Sequence, residues 1–240
     1  MSTSGPWNTV EFVQRVAQLE RANLRDLFPS EAWSLYRILP HCESVLDLGC
    51  GNGRMAAILQ AISPRTYSIG VDSNATLVQR ASQEYAGANA RFVQADVFQF
   101  LDNGNEPFDC VMAWALLYAL TNFKELLDGM IARASKWVLF DMRVANVEKT
   151  IADTALAYTQ YGDVRAPYVI ASFRDLLQHL KGHEAALASV EMTGYHFPPG
   201  PTCWVSDTLS QPAVLLVVLE RRPQEHGPNQ RSTEWYIKVP

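Results

Sequence analysis

The stretch "SVLDLGCGNGRMAAIL", Ser44 to Leu59, constrains this chain more than any other. A short apolar run carries an acidic residue, Asp47, near its end. It then passes through glycines at every second position, Gly49, Gly51 and Gly53, into residues with helical spacing. A strand that turns on glycines directly into a helix lets backbone approach a ligand closely, beside the positive end of the helix. A dinucleotide fingerprint places its third glycine three positions after the second, and here that place is Arg54. Asp47 adds a second objection, because a carboxylate beside a pyrophosphate in a partly buried site meets poorly screened repulsion. The loop suits a phosphate-free ligand with a cationic amino or sulfonium group. The alternative role for Asp47 is to cap the loop by accepting its N–H groups.

From Ser44 onward, short apolar runs alternate with amphipathic segments, the pattern of βα units and a mostly parallel sheet. The strand candidates are "SVLDL", "TYSIGVD", "ARFVQA", "FDCVMA", "KWVLFD", "LASVEMTGYHF" and "AVLLVVLE". Helices are expected from Met55 to Ile62, after Ser73, after Asn122, over Val147, Ile151, Ala155 and Tyr158, and after Ser172. "YGDVRAPYV" reads as irregular. Before Ser44, residues 10–28 read as a helix with Val13, Val16, Leu24, Leu27 and Phe28 on one face. Pro29 restarts a second helix that Pro40 ends. Beyond Arg222 a polar, Pro-bearing tail closes in a β-like "EWYIKV".

Hydrophobic residues make up 48% of the 240 and charged residues 19%, with a net charge of −5, so the chain can bury a full core without staples. The acidic balance and the lack of a basic stripe argue against a nucleic-acid partner. No basic run precedes an apolar stretch at the start, and no window reaches the roughly 18 apolar residues of a membrane span. A cytoplasmic, soluble protein with no membrane partner is the expectation. Cys42, Cys50, Cys110 and Cys203 are too scattered for a zinc site or a disulfide framework, so no metal is expected. His41, His179, His183 and His226 carry no assignment.

The motif "VLDLGCGNG" resembles the first motif of class I S-adenosylmethionine-dependent methyltransferases, and the resemblance runs over roughly residues 41 to 143. Asp72 ends "SIGVDSN", Asp96 lies in "VQADVFQF", and "FDCVMAWALLYAL" resembles the fourth strand and the turn facing the transferred methyl. The resemblance implies an α/β fold of the Rossmann-like methyltransferase type. Its doubly wound, mostly parallel sheet would have seven strands, the last one reversed, beneath an N-terminal helical cap. It also implies a domain plan of residues 1–40 as cap or lid, 41–222 as core and 223–240 as extension. S-adenosyl-L-methionine would be held by Asp47, Gly49, Cys50, Gly51, Gly53, Asp72, Ser73, Asp96, Val97 and Trp114. Within that set, Asp72 would bond the ribose hydroxyls and Asp96 would lie near the adenine amino group. Asp96 can equally be a helix cap.

The acceptor half of such a pocket lies at the C-terminal ends of the later strands. Asp141, Tyr118 and His196 are the candidates for proton transfer, and Tyr118, Arg143, Tyr36 and Trp33 for substrate contact. Each has a plainer reading: Trp114 and Tyr118 as packing aromatics, Asp141 as a turn cap, Arg143 as its ion-pair partner, and His196 as packing. Family members that carry His in the turn after the fourth strand are not matched here, where Tyr118 and Ala119 stand. The expected activity is methylation of an oxygen or nitrogen on a small molecule, such as a secondary metabolite or sugar. Protein or RNA methylation and non-enzymatic cofactor binding are the alternatives.

Overall fold

The computed structural model describes residues 6–18, 23–104, 106–196, 198–209, 212–223 and 232–239. In chain order the elements are α1 (Val10–Gln18), α2 (Pro29–Ile38), β1 (Ser44–Leu48), α3 (Arg54–Ile62), β2 (Tyr67–Asp72), α4 (Ala75–Tyr85), β3 (Ala90–Gln94), α5 (Val97–Asn103) and β4 (Phe108–Ala113). Then follow α6 (Phe123–Arg133), β5 (Ala134–Ala145), β6 (Ala157–Tyr161), β7 (Val164–Pro167), β8 (Ala171–Ser172), α7 (Phe173–Lys181), β9 (Leu187–His196), β10 (Cys203–Val205), β11 (Ala213–Arg221) and β12 (Glu234–Lys238).

The main sheet runs β12-β9-β11-β5-β4-β1-β2-β3, with β8 pairing beside the end of β5. β11 is antiparallel to both neighbours, β5 and β9, while the remaining pairings in this sheet are parallel. The doubly wound sheet with a reversed seventh core strand is therefore present, and β12 and β8 extend it. Burial of both faces of the sheet explains why its central strands read as unbroken apolar runs. Val111 and Ala113 of β4 face a cluster with Leu126, Leu127 and Met130 of α6 and with Leu176 and Leu180 of α7. Cys110 and Met112 of β4 face the other side, against Leu35 and Ile38 of α2 and Ile58 and Leu59 of α3.

Three expectations need correction. The helix over Val147–Tyr158 does not form. Ile151 pairs in an isolated bridge with Ile170, Asp153 holds a turn through Ala155 N–H at 2.8 Å, and Tyr158 lies in β6. Its helical spacing arises because Val147 and Ile151 serve a small cluster with Ala157, Tyr168 and Ile170. The segment read as irregular is a hairpin, β6–β7, turning on Gly162 at φ +57° and joined by β10 into a second three-stranded sheet. Of the helix expected over residues 10–28, Val10–Gln18 is helical and residues 24–28 are not part of it. Leu24–Asp26 is a 3-10 turn closed by Asn23 N–H donating to Asp26 at 3.1 Å, and residues 19–22 lie outside the described set. The helix α5, which had no expectation, starts on the cap Asp96.

The two N-terminal helices do different work. α2 is part of the core layer through Leu35 and Ile38, both at most 1% exposed. The segment Pro6–Gln18 lies over the glycine loop, with Val16 Cγ1 only 3.2 Å from where a Cβ on Gly51 would stand. Trp7, Phe12 and Tyr161 form a mutual edge-to-face trio, with centroids 5.2 to 5.9 Å apart, that joins this segment to the β6–β7 hairpin. Asn74 Nδ2 donates to Trp7 O at 2.8 Å and ties it to the end of β2 as well. No helix among the described residues is long and apolar enough to cross a membrane.

Gly53 is a closely packed left-handed point of the fold. Its φ is +79°, and an added Cβ would sit 2.6 Å from Ala81 Cβ and 2.8 Å from Phe92. Gly53→Ala is expected to cost about 2 to 4 kcal/mol in urea denaturation, through left-handed strain plus overpacking. Gly87→Ala, with nothing within 4 Å of the added methyl, is the matched control and stays within about 1 kcal/mol of the parent. Equal losses at the two positions would refute this account.

Candidate functional site

The loop after β1 is built by its own glycines. Gly49, Gly51 and Gly53 all have positive φ, at 70°, 56° and 79°. The N–H groups of Gly49 and Cys50 donate to Val71 O at 2.8 and 3.1 Å, and that of Gly53 turns back onto Cys50 O. Gly51 N–H donates to Asp72 Oδ2 at 2.9 Å, and Asn74 N–H to Asp72 Oδ1 at 2.8 Å. The loop is thus clasped to the end of β2, and none of these four amides is spent on Asp47.

Asp47 is 6% exposed, and burial, reinforced by the Asp72 charge and opposed by Arg54, pushes its carboxyl up to about 7. Burial also raises Asp72, against the pull of its two N–H donors. Each Asp72 oxygen has given one lone pair to backbone and keeps another. A buried acid and a half-buried one, Asp47 and Asp72, thus face a glycine loop with acceptor capacity to spare, a chemistry suited to a cationic, hydroxyl-bearing ligand.

The other assigned residues divide by place. Cys50 turns its thiol inward against Gly70, where burial raises its pKa well above normal, so the loop offers its backbone there and not its sulfur. Ser73 is exposed at the end of β2, next to Asp72. Asp96 Oδ1 caps α5, accepting from Phe98 N–H and Gln99 N–H at 3.0 and 3.1 Å. Val97 packs in the core below it. Trp114 packs toward the α2 and α3 side, with Nε1–H directed at Met112 Sδ at 3.3 Å.

At the ends of β4 and β5 a second group converges. Ala115 has φ +56°, a conformation uncommon for a residue with a Cβ, and its N–H donates to Asp141 Oδ1 at 2.5 Å. Asp141 Oδ2 accepts from Arg143 Nη1 at 2.9 Å, and Arg143 Nε donates to the Tyr168 hydroxyl at 3.0 Å. The guanidinium lies 4.3 Å from the Tyr118 ring centre, and the Tyr118 and Tyr168 rings meet edge to face. Burial raises both tyrosines and disfavours their phenolates, while Asp141 holds Arg143 firmly protonated.

Each oxygen of Asp141 accepts one bond, from Ala115 N–H and from Arg143, so it shapes the turn that carries Trp114 and Tyr118. His196 stands exposed at the end of β9, level with Val144 across two strands, and is not part of this group. Trp33 and Tyr36 are 65% and 51% exposed on the outer side of α2. Arg37, stacked near Trp33, grips Glu191 midway along β9, so these aromatics lie on the sheet flank and away from the strand-end cluster. Tyr168, Ala115 and Asn74 belong to the site and carried no expectation. Asn74 did leave a trace as a helix cap three residues before Leu77, whereas Tyr168 lay in the segment read as irregular.

Residues 45–139 match the family model for a methyltransferase domain. An uncharacterised methyltransferase of Mycobacterium tuberculosis is 34% identical over 88 residues, 37% of this chain and 43% of that protein. The trans-aconitate 2-methyltransferase of Klebsiella pneumoniae is 30% identical over 91 residues, 38% of this chain and 34% of that protein. The chain thus spans less than half the length of the curated relatives it matches. Among solved structures, the O-methyltransferase from a trans-AT PKS multienzyme of Brevibacillus brevis, in complex with S-adenosyl-L-homocysteine, superposes with a TM-score of 0.56 at 15% identity. That match covers 90% of this chain and 81% of the other. The fold is that of S-adenosylmethionine-dependent methyltransferases of known structure, and residues 45–139 match the methyltransferase-domain family.

The elevated Asp47 predicts how stability changes with pH. Its folded-state value lies above the ordinary 3.8, so the folded protein holds this proton more tightly than the unfolded chain does. Stability from this group is full below pH about 4 and is lost as pH rises through about 7. Asp47→Asn should therefore melt with the parent at pH 4 and about 2 to 8 °C above it at pH 8, with no cofactor added. Superimposable melting profiles at the two pH values would rule out the buried charge.

Proposed function

We propose that this protein transfers the methyl group of S-adenosyl-L-methionine to an oxygen or nitrogen of a small-molecule acceptor. The observation that carries the cofactor assignment is the clasp of Gly51 N–H on Asp72, set beside the buried Asp47. Asp72 keeps one lone pair per oxygen for a pair of ribose hydroxyls, and the two acids attract a ligand whose ammonium and sulfonium are both cationic. The glycine backbone approaches that ligand without side-chain obstruction. When bound, the cofactor supplies an electrophilic methyl on a cationic sulfur, so the chain's main task is to orient the acceptor in line with it.

Orientation falls to the wall at the ends of β4 and β5. Asp141 is a positioning residue: it fixes Ala115 in its left-handed turn and neutralises Arg143. Tyr118 and Tyr168, held as phenols, offer ring faces and a hydroxyl to the acceptor. Because Arg143 is matched by Asp141, the wall is near neutral and favours hydroxyl or amine acceptors over polyanions. The proton released on transfer passes to water or to the exposed His196, the remaining candidate base at this edge. The methylation of a small acid by the Klebsiella relative and the O-methyltransferase title of the Brevibacillus structure support a small acceptor.

The test supplies methyl-labelled S-adenosyl-L-methionine with fractionated cell extract. Label is expected in the low-molecular-weight fraction, while label in protein or RNA, or in nothing despite cofactor binding, would overturn the reading. Asp72→Ala should weaken cofactor affinity by about 5- to 150-fold in calorimetry, since it leaves ribose hydroxyls unpaired and frees Gly51 N–H. Unchanged affinity would remove Asp72 from that role.

A further inference from the structure

Asp128, His179 and His183 converge on the flank of the sheet far from the methyl-transfer edge. Asp128 lies midway along α6, which runs back toward the start of β5. His179 is in the last turn of α7, and His183 lies two residues past its end, shortly before β9 begins. The spacing of four residues puts the two imidazoles on one side of the helix, with ring centres 5.4 Å apart. Both Nε2 atoms approach the same carboxylate oxygen, Asp128 Oδ1, at 2.7 Å for His179 and 2.8 Å for His183.

A hydrogen-bond reading accounts for only part of this arrangement. The His183 contact has hydrogen-bond geometry, whereas His179 Nε2 is shielded from solvent and lies off the hydrogen-bonding line despite its 2.7 Å approach. Three lone-pair-bearing atoms, all within 4.8 Å of one another, therefore point into one spot. Imidazole and carboxylate together suit zinc and its neighbours among the transition metals, and suit calcium or magnesium poorly. The C-terminal end of α7 adds partial negative charge close by.

We propose that Asp128, His179 and His183 form a binding site for a divalent transition-metal ion of the zinc class, completed by water, that cross-links α6 to α7. In a tetrahedral zinc site, ligand atoms stand about 3.3 Å apart, so the present 2.7 and 2.8 Å must open by about half an ångström. The side chains have room to do so, being 19% and 27% exposed for the histidines and 49% for Asp128. The ion's role is structural, because the site lies where β5 and β9 begin and the strand-end cluster lies at the opposite edge. The two helices it joins cover the same face of the core through Leu126, Leu127, Leu176 and Leu180.

Calorimetric titration of the untagged protein with zinc chloride should show one equivalent bound per chain, and cobalt(II) at the same site should develop the visible absorption of a tetrahedral complex. Zinc should raise the melting temperature by several degrees, reversibly with EDTA. His179→Ala, His183→Ala and Asp128→Asn should each lower zinc affinity at least about tenfold and abolish the melting shift. His41→Ala should behave as the parent does. Melting in EDTA checks that each variant is folded, and the near-isosteric Asp128→Asn carries the test if a histidine variant is not. Absence of a stoichiometric site, or zinc binding that survives both Asp128→Asn and the double histidine variant, would overturn the proposal and leave a His–Asp–His hydrogen-bond cluster.

Discussion

The hydrogen bond from Gly51 N–H to Asp72 is the contact on which the site depends, because it joins two elements that the sheet alone only places side by side. β1 and β2 are parallel neighbours in register, Asp47 beside Gly70 and Leu48 beside Val71. That register brings the turn after β1 level with the last residues of β2, where Val71 O and the Asp72 carboxylate take up three of its amides. A loop with three left-handed residues has no regular ladder of its own, and it persists because its donors are satisfied across the gap. Asp47 is left beneath with few compensating partners. The site thus holds an electrostatic cost at Asp47 whenever that carboxyl is ionised.

The wall at β4 and β5 follows the same logic with different chemistry. A non-glycine residue in a left-handed turn costs on the order of 1 to 3 kcal/mol, and Ala115 adopts it because Asp141 receives its N–H. Arg143 then satisfies the other oxygen and stacks on Tyr118, so a single carboxylate fixes backbone, cation and aromatic ring together. A carboxylate so engaged is poorly suited to proton abstraction, and the wall acts through shape and hydrogen bonding.

The glycine-loop half of the candidate site was legible because it is contiguous: strand, glycines and helix follow one another, at a spacing that matches a dinucleotide fingerprint poorly and with Asp47 set against a phosphate. The strands were legible for a related reason, since burial on both faces leaves uninterrupted apolar runs. Residues that meet only through tertiary structure were less visible. Tyr168 reaches Arg143 from a hairpin that looked irregular, because its strands are short and its signal is one Gly-Asp turn. The apolar residues at Val147, Ile151, Ala155 and Tyr158 imitate a helix through coincidental spacing, a pattern that two small β elements produced by burying against each other. The exposed aromatics of α2 illustrate the converse: an aromatic near the pocket in sequence order can lie on the far side of its helix. Spacing alone could have paired His179 with His183, but Asp128 lies 51 residues before His179 and carried no local sign of joining them.

The Trp7, Phe12 and Tyr161 trio carries a consequence for how the first helical segment is held. The segment that bears Trp7 and Phe12 is tied on one side to Asn74, just past the end of β2, and on the other to the small sheet. Each edge-to-face pair is worth roughly 0.5 to 1.5 kcal/mol, so the three together make a fastening of only a few kcal/mol. The three rings and the Asn74 hydrogen bond share no atoms, so the segment is fastened at two independent points, one aromatic and one polar, and losing either leaves the other in place.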